Sequence, residues 1–284
     1  MADRLFDALG QEFESGRRAR IVSLVPSLTE TLFTYGLGAS VVGATRYCVE
    51  PAAAVEQLAK VGGTKNPELE AIVVLRPDLI IASAEENRKE DIEALIDRGL
   101  SVFVTMPATV MEAWRMLVEL AQLLDAEEQA RPMLAELEQT LAELQGRAEG
   151  NTAVRYFCPI WRRPFMTSGP DTYAYDLLRL CGGTSVCGEG EARYFAVDLA
   201  EVAAARPEVI LLPDEPYPFS ERHKADFAPY HEMPAVANGR IYCIDGKLLT
   251  WYGQRTAGGI RMMQRLLVRT APERTDASGL PGLF

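Results

Sequence analysis

Leu69-Glu70-Ala71-Ile72-Val73-Val74-Leu75-Arg76-Pro77-Asp78-Leu79-Ile80-Ile81 returns 130 residues later as Leu199-Ala200-Glu201-Val202-Ala203-Ala204-Ala205-Arg206-Pro207-Glu208-Val209-Ile210-Leu211. Each copy reads as a short amphipathic helix, a proline–acid break, and an apolar run of the kind buried on both faces of a parallel sheet. A helix-then-buried-strand unit present twice predicts two similar α/β lobes, each built on its own sheet. Two lobes imply a cleft, and clefts between domains are common places for small ligands.

Outward from the first copy, Ile21-Val22-Ser23-Leu24-Val25 reads as a buried strand. Ser27-Leu28-Thr29-Glu30 has the form of a capping box and predicts a helix from Ser27 to Gly36 or Gly38. Val41–Ala44 and Leu79–Ser83 are predicted strands, Arg88–Arg98 a helix ended by Gly99, and Val102–Val104 a closing strand. This alternation predicts a mostly parallel sheet flanked by helices. Thr109–Leu124 and about Ala126–Gln145 carry helical apolar spacing, the second through Leu134, Leu137, Leu141 and Leu144. That second helix is read as the connector between lobes, stiffer than a Gly/Ser linker.

A second lobe follows, with a strand at Ala153–Cys158 and a helix at Tyr173–Leu180 ended by Gly182-Gly183. Strands at Val209–Leu212 and Ile241–Ile244 and a helix near Thr256–Arg269 complete it. The expected organisation is an N-terminal extension 1–19, a first lobe 20–124, a connecting helix 125–148, a second lobe 149–270 and a tail 271–284. The mixed-charge extension is read as helical and the Pro/Gly-bearing tail as frayed.

At 284 residues the chain can hold two ordinary domains, and 48% hydrophobic with 24% charged residues is a soluble globular composition. A net charge of -11 argues against nucleic acid as a partner. No run approaches the roughly 18 apolar residues of a membrane span. The first residues lack a charged segment followed by an apolar core, as a secretion signal would have. Five cysteines leave at least one unpaired and none forms C-x-x-C. As the sequence stands, these features predict a cytoplasmic monomer without a cysteine metal site.

Ligands of α/β sheets collect beyond the carboxyl ends of the strands. The residues there include Arg46 and Tyr47, Ser83, Glu85 and Glu86, Trp161, Arg162 and Phe165, Glu215, then Trp251, Tyr252 and Arg255. Aromatic rings give large contact area and arginine gives forked donors to anions, a mixture suited to a bulky, partly anionic organic ligand. Trp161 and Phe165 could equally pack beneath their own loop. Glu85 and Glu86 could act as acid and base or complement a helix dipole. His223 and His231, eight residues apart in a Pro-rich stretch, could join a carboxylate at a metal, although open sites normally show three protein ligands. No GxSxG, HExxH or Walker glycine loop occurs. No catalytic residue, metal or cofactor is therefore expected.

Arg20-Ile21-Val22-Ser23-Leu24-Val25-Pro26-Ser27-Leu28-Thr29-Glu30, Gly62-Gly63-Thr64 before Leu69-Glu70, and Arg76-Pro77-Asp78-Leu79-Ile80 resemble the helical-backbone substrate-binding proteins of ABC importers. Pro164–Gly169 and Cys181-Gly182-Gly183 extend the resemblance, which covers about Arg20 to Leu267. Members of that family carry vitamin B12, haem, ferric siderophores or metal ions. The resemblance implies two lobes joined by a long helix, little closure, no catalysis, and a corrinoid-like or chelated-metal organic ligand between the lobes. It also implies an ABC permease as partner and a periplasmic or cell-surface location once a signal is removed.

The resemblance further places Tyr47 at a ligand-stacking position, Phe165 and Tyr194 near second-lobe aromatics, and Trp251 and Tyr252 on a late aromatic loop. Thr64 and Ser83 stand where B12-binding members have tryptophans, so this wall is less aromatic. An exposed glutamate on each lobe docks to the permease in the family. Glu70 matches the first, whereas the second register position is Ala200 with Glu201 one residue off, a rotation of about 100°. A cytosolic cofactor-handling protein or enzyme on the same scaffold, using Glu85, Glu86 or Glu215 as acid/base groups, remains the alternative.

Overall fold

The computed structural model describes residues 4–145, 153–188 and 192–268. The tail 271–284 and the loop expected at 146–151 lie outside the described residues. In chain order the first part runs β1 (Arg4–Phe6), β2 (Glu12–Glu14), β3 (Ile21–Ser23), α1 (Pro26–Thr34), β4 (Val41–Ala44), α2 (Ala52–Val55) and β5 (Ala59–Lys60). It continues through α3 (Leu69–Val74), β6 (Leu79–Ser83), α4 (Lys89–Asp97), β7 (Val102–Thr105), α5 (Val110–Leu123) and α6 (Glu127–Gln145). The second part runs β8 (Val154–Phe157), β9 (Pro159–Trp161), β10 (Phe165–Ser168), α7 (Tyr173–Leu180), β11 (Gly183–Ser185), β12 (Tyr194–Val197), α8 (Leu199–Ala204) and β13 (Val209–Pro213). A 3-10 helix at Glu221–Tyr230, α9 (Pro234–Ala237), β14 (Ile241–Ile244), α10 (Lys247–Thr250) and α11 (Thr256–Leu266) follow.

The repeated stretch does the same thing twice. β6 sits in a parallel sheet of order β5-β4-β3-β6-β7, and β13 in a parallel sheet of order β11-β8-β13-β14. Both strands are buried at every residue. Alternate side chains reach opposite faces. Leu79, Ile81, Val209 and Leu211 enter one shared core, Ile80 and Ala82 a first-lobe cluster, and Ile210 and Leu212 a second-lobe cluster. Arg76 and Arg206 both adopt left-handed backbone, with φ of 47° and 54°, just past the helix end, where such a residue satisfies late carbonyls. The acid after each proline then fixes the neighbouring strand. Asp78 Oδ2 accepts the Ala19 and Arg20 N–H groups at 2.9 Å, leading into β3. Glu208 Oε2 accepts the Arg155 N–H at 3.0 Å, in β8.

The shared core is continuous between the lobes. It gathers Phe103, Leu117 and Leu120 from the first, Leu137, Leu141 and Leu144 from α6, and Tyr156, Leu177 and Ile260 from the second. Polar ties reinforce it: the Val110 N–H donates to Asp176 Oδ2 at 2.9 Å, and Arg261 reaches Glu136 at 2.6 Å and Thr140 at 3.0 Å. Among the described residues no helix is long and apolar enough to cross a membrane.

Three local expectations are corrected. The N-terminal stretch is an antiparallel hairpin, not a helix: Leu5 and Phe13 point inward, and Phe13 meets Phe103 edge-on at 5.2 Å. Asp7 holds its turn by accepting the Leu9 and Gln11 N–H groups. The hairpin also covers the free edge of β7, with the Ala8 N–H donating to Val104 O at 2.8 Å and the Val104 N–H to Asp7 Oδ2 at 3.2 Å. The capping box at Ser27 does not form. Pro26 opens α1, Val25 is its cap without a side-chain bond, and Glu30 turns instead to an arginine of the other lobe. The second lobe also carries an antiparallel sheet, β12-β10-β9, that the apolar pattern did not mark.

Candidate functional site

Loops at the carboxyl ends of the two parallel sheets meet. At one side, Glu85, after β6, accepts from Arg193 Nη2 at 3.0 Å and from the Tyr194 hydroxyl. At another, Glu30 of α1 takes both arms of Arg255 at 2.8 and 2.7 Å, and Glu50 takes Lys247 at 2.8 Å. Gln254 Oε1 accepts from the Thr34 hydroxyl at 2.7 Å. Gly253, at φ 121°, permits the second-lobe loop to approach α1, since a Cβ there would lie 2.4 Å from Thr31 Oγ1. These contacts join the facing loops of the two lobes. Two cavities of about 270 and 210 Å3 lie elsewhere, one beside the hairpin and β7, the other by Arg17, Tyr35 and Gln129.

The predicted residues divide into open walls, committed pairs and buried supports. Tyr47, Trp161 and Tyr194 are the exposed rings, at 54, 44 and 40%. Arg46 lies 5.7 Å over the Tyr47 ring and reaches Asn66 at 3.3 Å. Trp161 leans edge-on against Tyr217 at 5.6 Å. Phe165 is half-buried, stacked on Phe219 and tilted against Phe227, so it supports its own loop. Thr64 is half-buried, its carbonyl accepting from Asn87, which also receives the Ser83 N–H; Ser83 is buried.

Arg162 and Arg255, expected to meet anionic groups, are already paired, Arg162 in a fork to Asp226 at 2.7 and 2.8 Å. Trp251 and Tyr252, expected as walls, are buried at 7 and 5% exposure. Lys247 and Arg255 cover the Trp251 ring at 5.3 and 5.5 Å, while Tyr252 packs on Tyr173 at 5.7 Å. A loop carrying two cations, Lys247 and Arg255, folds Trp251 under its own charges.

Beyond β6 and β13 the loops carry the acids Glu85, Glu86 and Glu215. No hydrogen bond or ion pair engages Glu86 among the described residues. Burial, with Glu85 and Glu215 nearby, pushes its carboxyl up to about 7, against the pull of Lys65. Glu215 is raised by burial although Thr250 donates to it at 3.1 Å. His223 is buried with Nδ1 accepting the Ser220 N–H, and burial lowers its pKa. Among the described residues no three His, Cys, Asp or Glu side chains gather as a metal site. Glu30, Glu50, Lys65, Arg193 and Lys247 were missed by sequence reasoning. Their partners lie far along the chain, and no local signal marks them.

The geometry agrees with known proteins. The profile of the periplasmic binding protein family matches residues 21–248. The vitamin B12-binding protein of Vibrio campbellii is 25% identical over 253 residues, 87% of this chain and 89% of its own. The crystal structure of the periplasmic vitamin B12 binding protein BtuF of Vibrio cholerae superposes with a TM-score of 0.77 at 25% identity, covering 88% of this chain and 96% of that one. The periplasmic heme-binding protein RhuT from Roseiflexus sp. RS-1 shares the fold at a TM-score of 0.75 and 21% identity, covering 88% and 98%. Two parallel-sheet lobes with a common core and facing loops are thus accounted for together: the chain belongs to the periplasmic binding protein family.

Proposed function

We propose that this protein is a non-catalytic receptor of the ABC-importer substrate-binding type that holds a corrinoid-like or chelated-metal organic ligand between its lobes. The observation that carries this reading is the exposure of three rings, Tyr47 after β4, Trp161 at the end of β9 and Tyr194 at the start of β12. The names of the B12- and heme-binding relatives support the ligand class. Tyr47 and Trp161 form the contact walls, Tyr194 and Phe165 hold the second-lobe rim, and Thr64, Ser83, Glu86 and Glu215 line the polar floor. Trp251, Tyr252 and Arg255 act from behind, and Arg46 and Arg162 edge the mouth. The ligand leaves unchanged, and the partner is a membrane permease met in the periplasm. Glu70 and Glu201 serve as docking acids: both are exposed in the first turn of equivalent helices, one register step apart.

Fluorescence titration of the full chain with cobalamin, cobinamide and haem tests this. Saturable quenching at micromolar or tighter Kd, about -8 kcal/mol, is expected for at least one. Trp161→Phe should remove most of the signal. No quenching by any of the three, nor by the siderophores named below, overturns the reading.

A further inference from the structure

The cations of the cleft are largely spent within the protein. Arg162 is forked to Asp226, Arg255 to Glu30, Lys247 is paired with Glu50, and Arg193 with Glu85 and Asp171. Lys65 donates to the Glu85 carbonyl at 2.7 Å. Arg46 and the exposed Arg163 are the arginines of these loops that make no ion pair among the described residues. The acceptors differ. Glu86 has no partner among the described residues, while Glu215 takes the Thr250 hydroxyl at 3.1 Å and is also drawn on by Trp251 and Lys247.

Two buried hydroxyls without hydrogen-bond partners join them from opposite lobes. The Tyr252 hydroxyl stands by Ser83 and Thr105 at the carboxyl ends of β6 and β7, in the field of Glu86 and Glu85, yet makes no bond of sound geometry. Ser27 Oγ sits at the start of α1, whose first turn lies against Gly253. Buried polar atoms are ordinarily satisfied. The orphaned Tyr252 hydroxyl, in the field of the unpaired Glu86 carboxyl, leaves room for an N–H donor between them.

We propose that the cleft floor receives a positively charged, N–H-bearing group of the ligand, a primary ammonium or guanidinium, between Glu86 and Glu215 with Tyr252 behind them. This rests on the ligand-binding reading and adds to it the charge of the cargo. Glu86 is in no ion pair among the described residues, so an arriving cation would break none there, and above about pH 7 it would meet a carboxylate. The charged or titratable groups acting on Glu86 are Glu85 beside it, Lys65 and Cys48 from first-lobe loops, and Glu215 and Tyr252 from the second lobe.

A matched pair of ferric siderophores isolates the charge: ferrioxamine B, which carries a free ammonium, and its N-acetylated form, the same chelate without it. Tryptophan quenching and thermal shift at pH 8 should show the ammonium form binding about tenfold tighter or more. Glu86→Gln, and separately Glu215→Gln, should shrink that preference to within about twofold. Equal or tighter binding of the acetylated form, or a preference untouched by both variants, overturns the cation assignment and leaves the receptor reading standing. Silence from both siderophores together with cobalamin, cobinamide and haem overturns both.

Discussion

Burial and neighbouring acids lift the Glu86 carboxyl from 4.5 to about 7, so between those values the folded chain holds a proton that the unfolded chain has released. Stability therefore falls as pH rises through that window and stays reduced above it, and Glu215, also raised, acts in the same sense. Glu86→Gln should match the parent near pH 4.5 and exceed it at pH 8 by about 1–3 kcal/mol in urea denaturation. A parent-to-variant difference that does not change with pH would show that water reaches the carboxyl. Sequence position alone brought Glu86 to notice, because it follows a strand. Its lack of a partner could not be read there. Arg162 and Arg255 were read as free donors for the same reason: the acids that take them lie 64 and 225 residues away, beyond any local pattern.

At the scale of elements, the repeated unit was legible because burial on both faces leaves an unbroken apolar run, and proline marks its entry. Its second use was not legible: the acid after each proline sets the register of the adjacent strand through backbone N–H groups. The antiparallel sheet β12-β10-β9 escaped because its strands are only three or four residues long, too short for periodicity to mark them. The N-terminal hairpin escaped because three-residue strands are too short for periodicity to decide. That hairpin guards an edge. Deleting residues 1–16 would strip Val104 of both edge hydrogen bonds and bare Phe103. Concentration-dependent self-association in sedimentation is the expected outcome, with the full chain as control. A deletion that stays as dispersed as the parent would mean that β7 needs no cover.

At the scale of the molecule, the lobes are tied twice, by the common core behind and by ion pairs at the mouth. Glu30 is only 5% exposed, so Arg255→Met leaves a buried carboxylate alone. The expected loss is about 3 kcal/mol in chemical denaturation, partly restored when Glu30→Gln is added. A loss below about 1 kcal/mol would mean that the pair is solvated. Two lobes were readable from the repeat, but their sharing of one interior was not, since Leu137, Leu144, Tyr156 and Ile260 carry no mark of which sheet they will touch. That single interior shapes capture itself. The ordering that other receptors complete when they swing shut is completed here during folding, so little of the binding free energy goes into arranging the walls. A ligand's entry would then be paced by diffusion, by orientation and by the ion pairs that bridge the mouth.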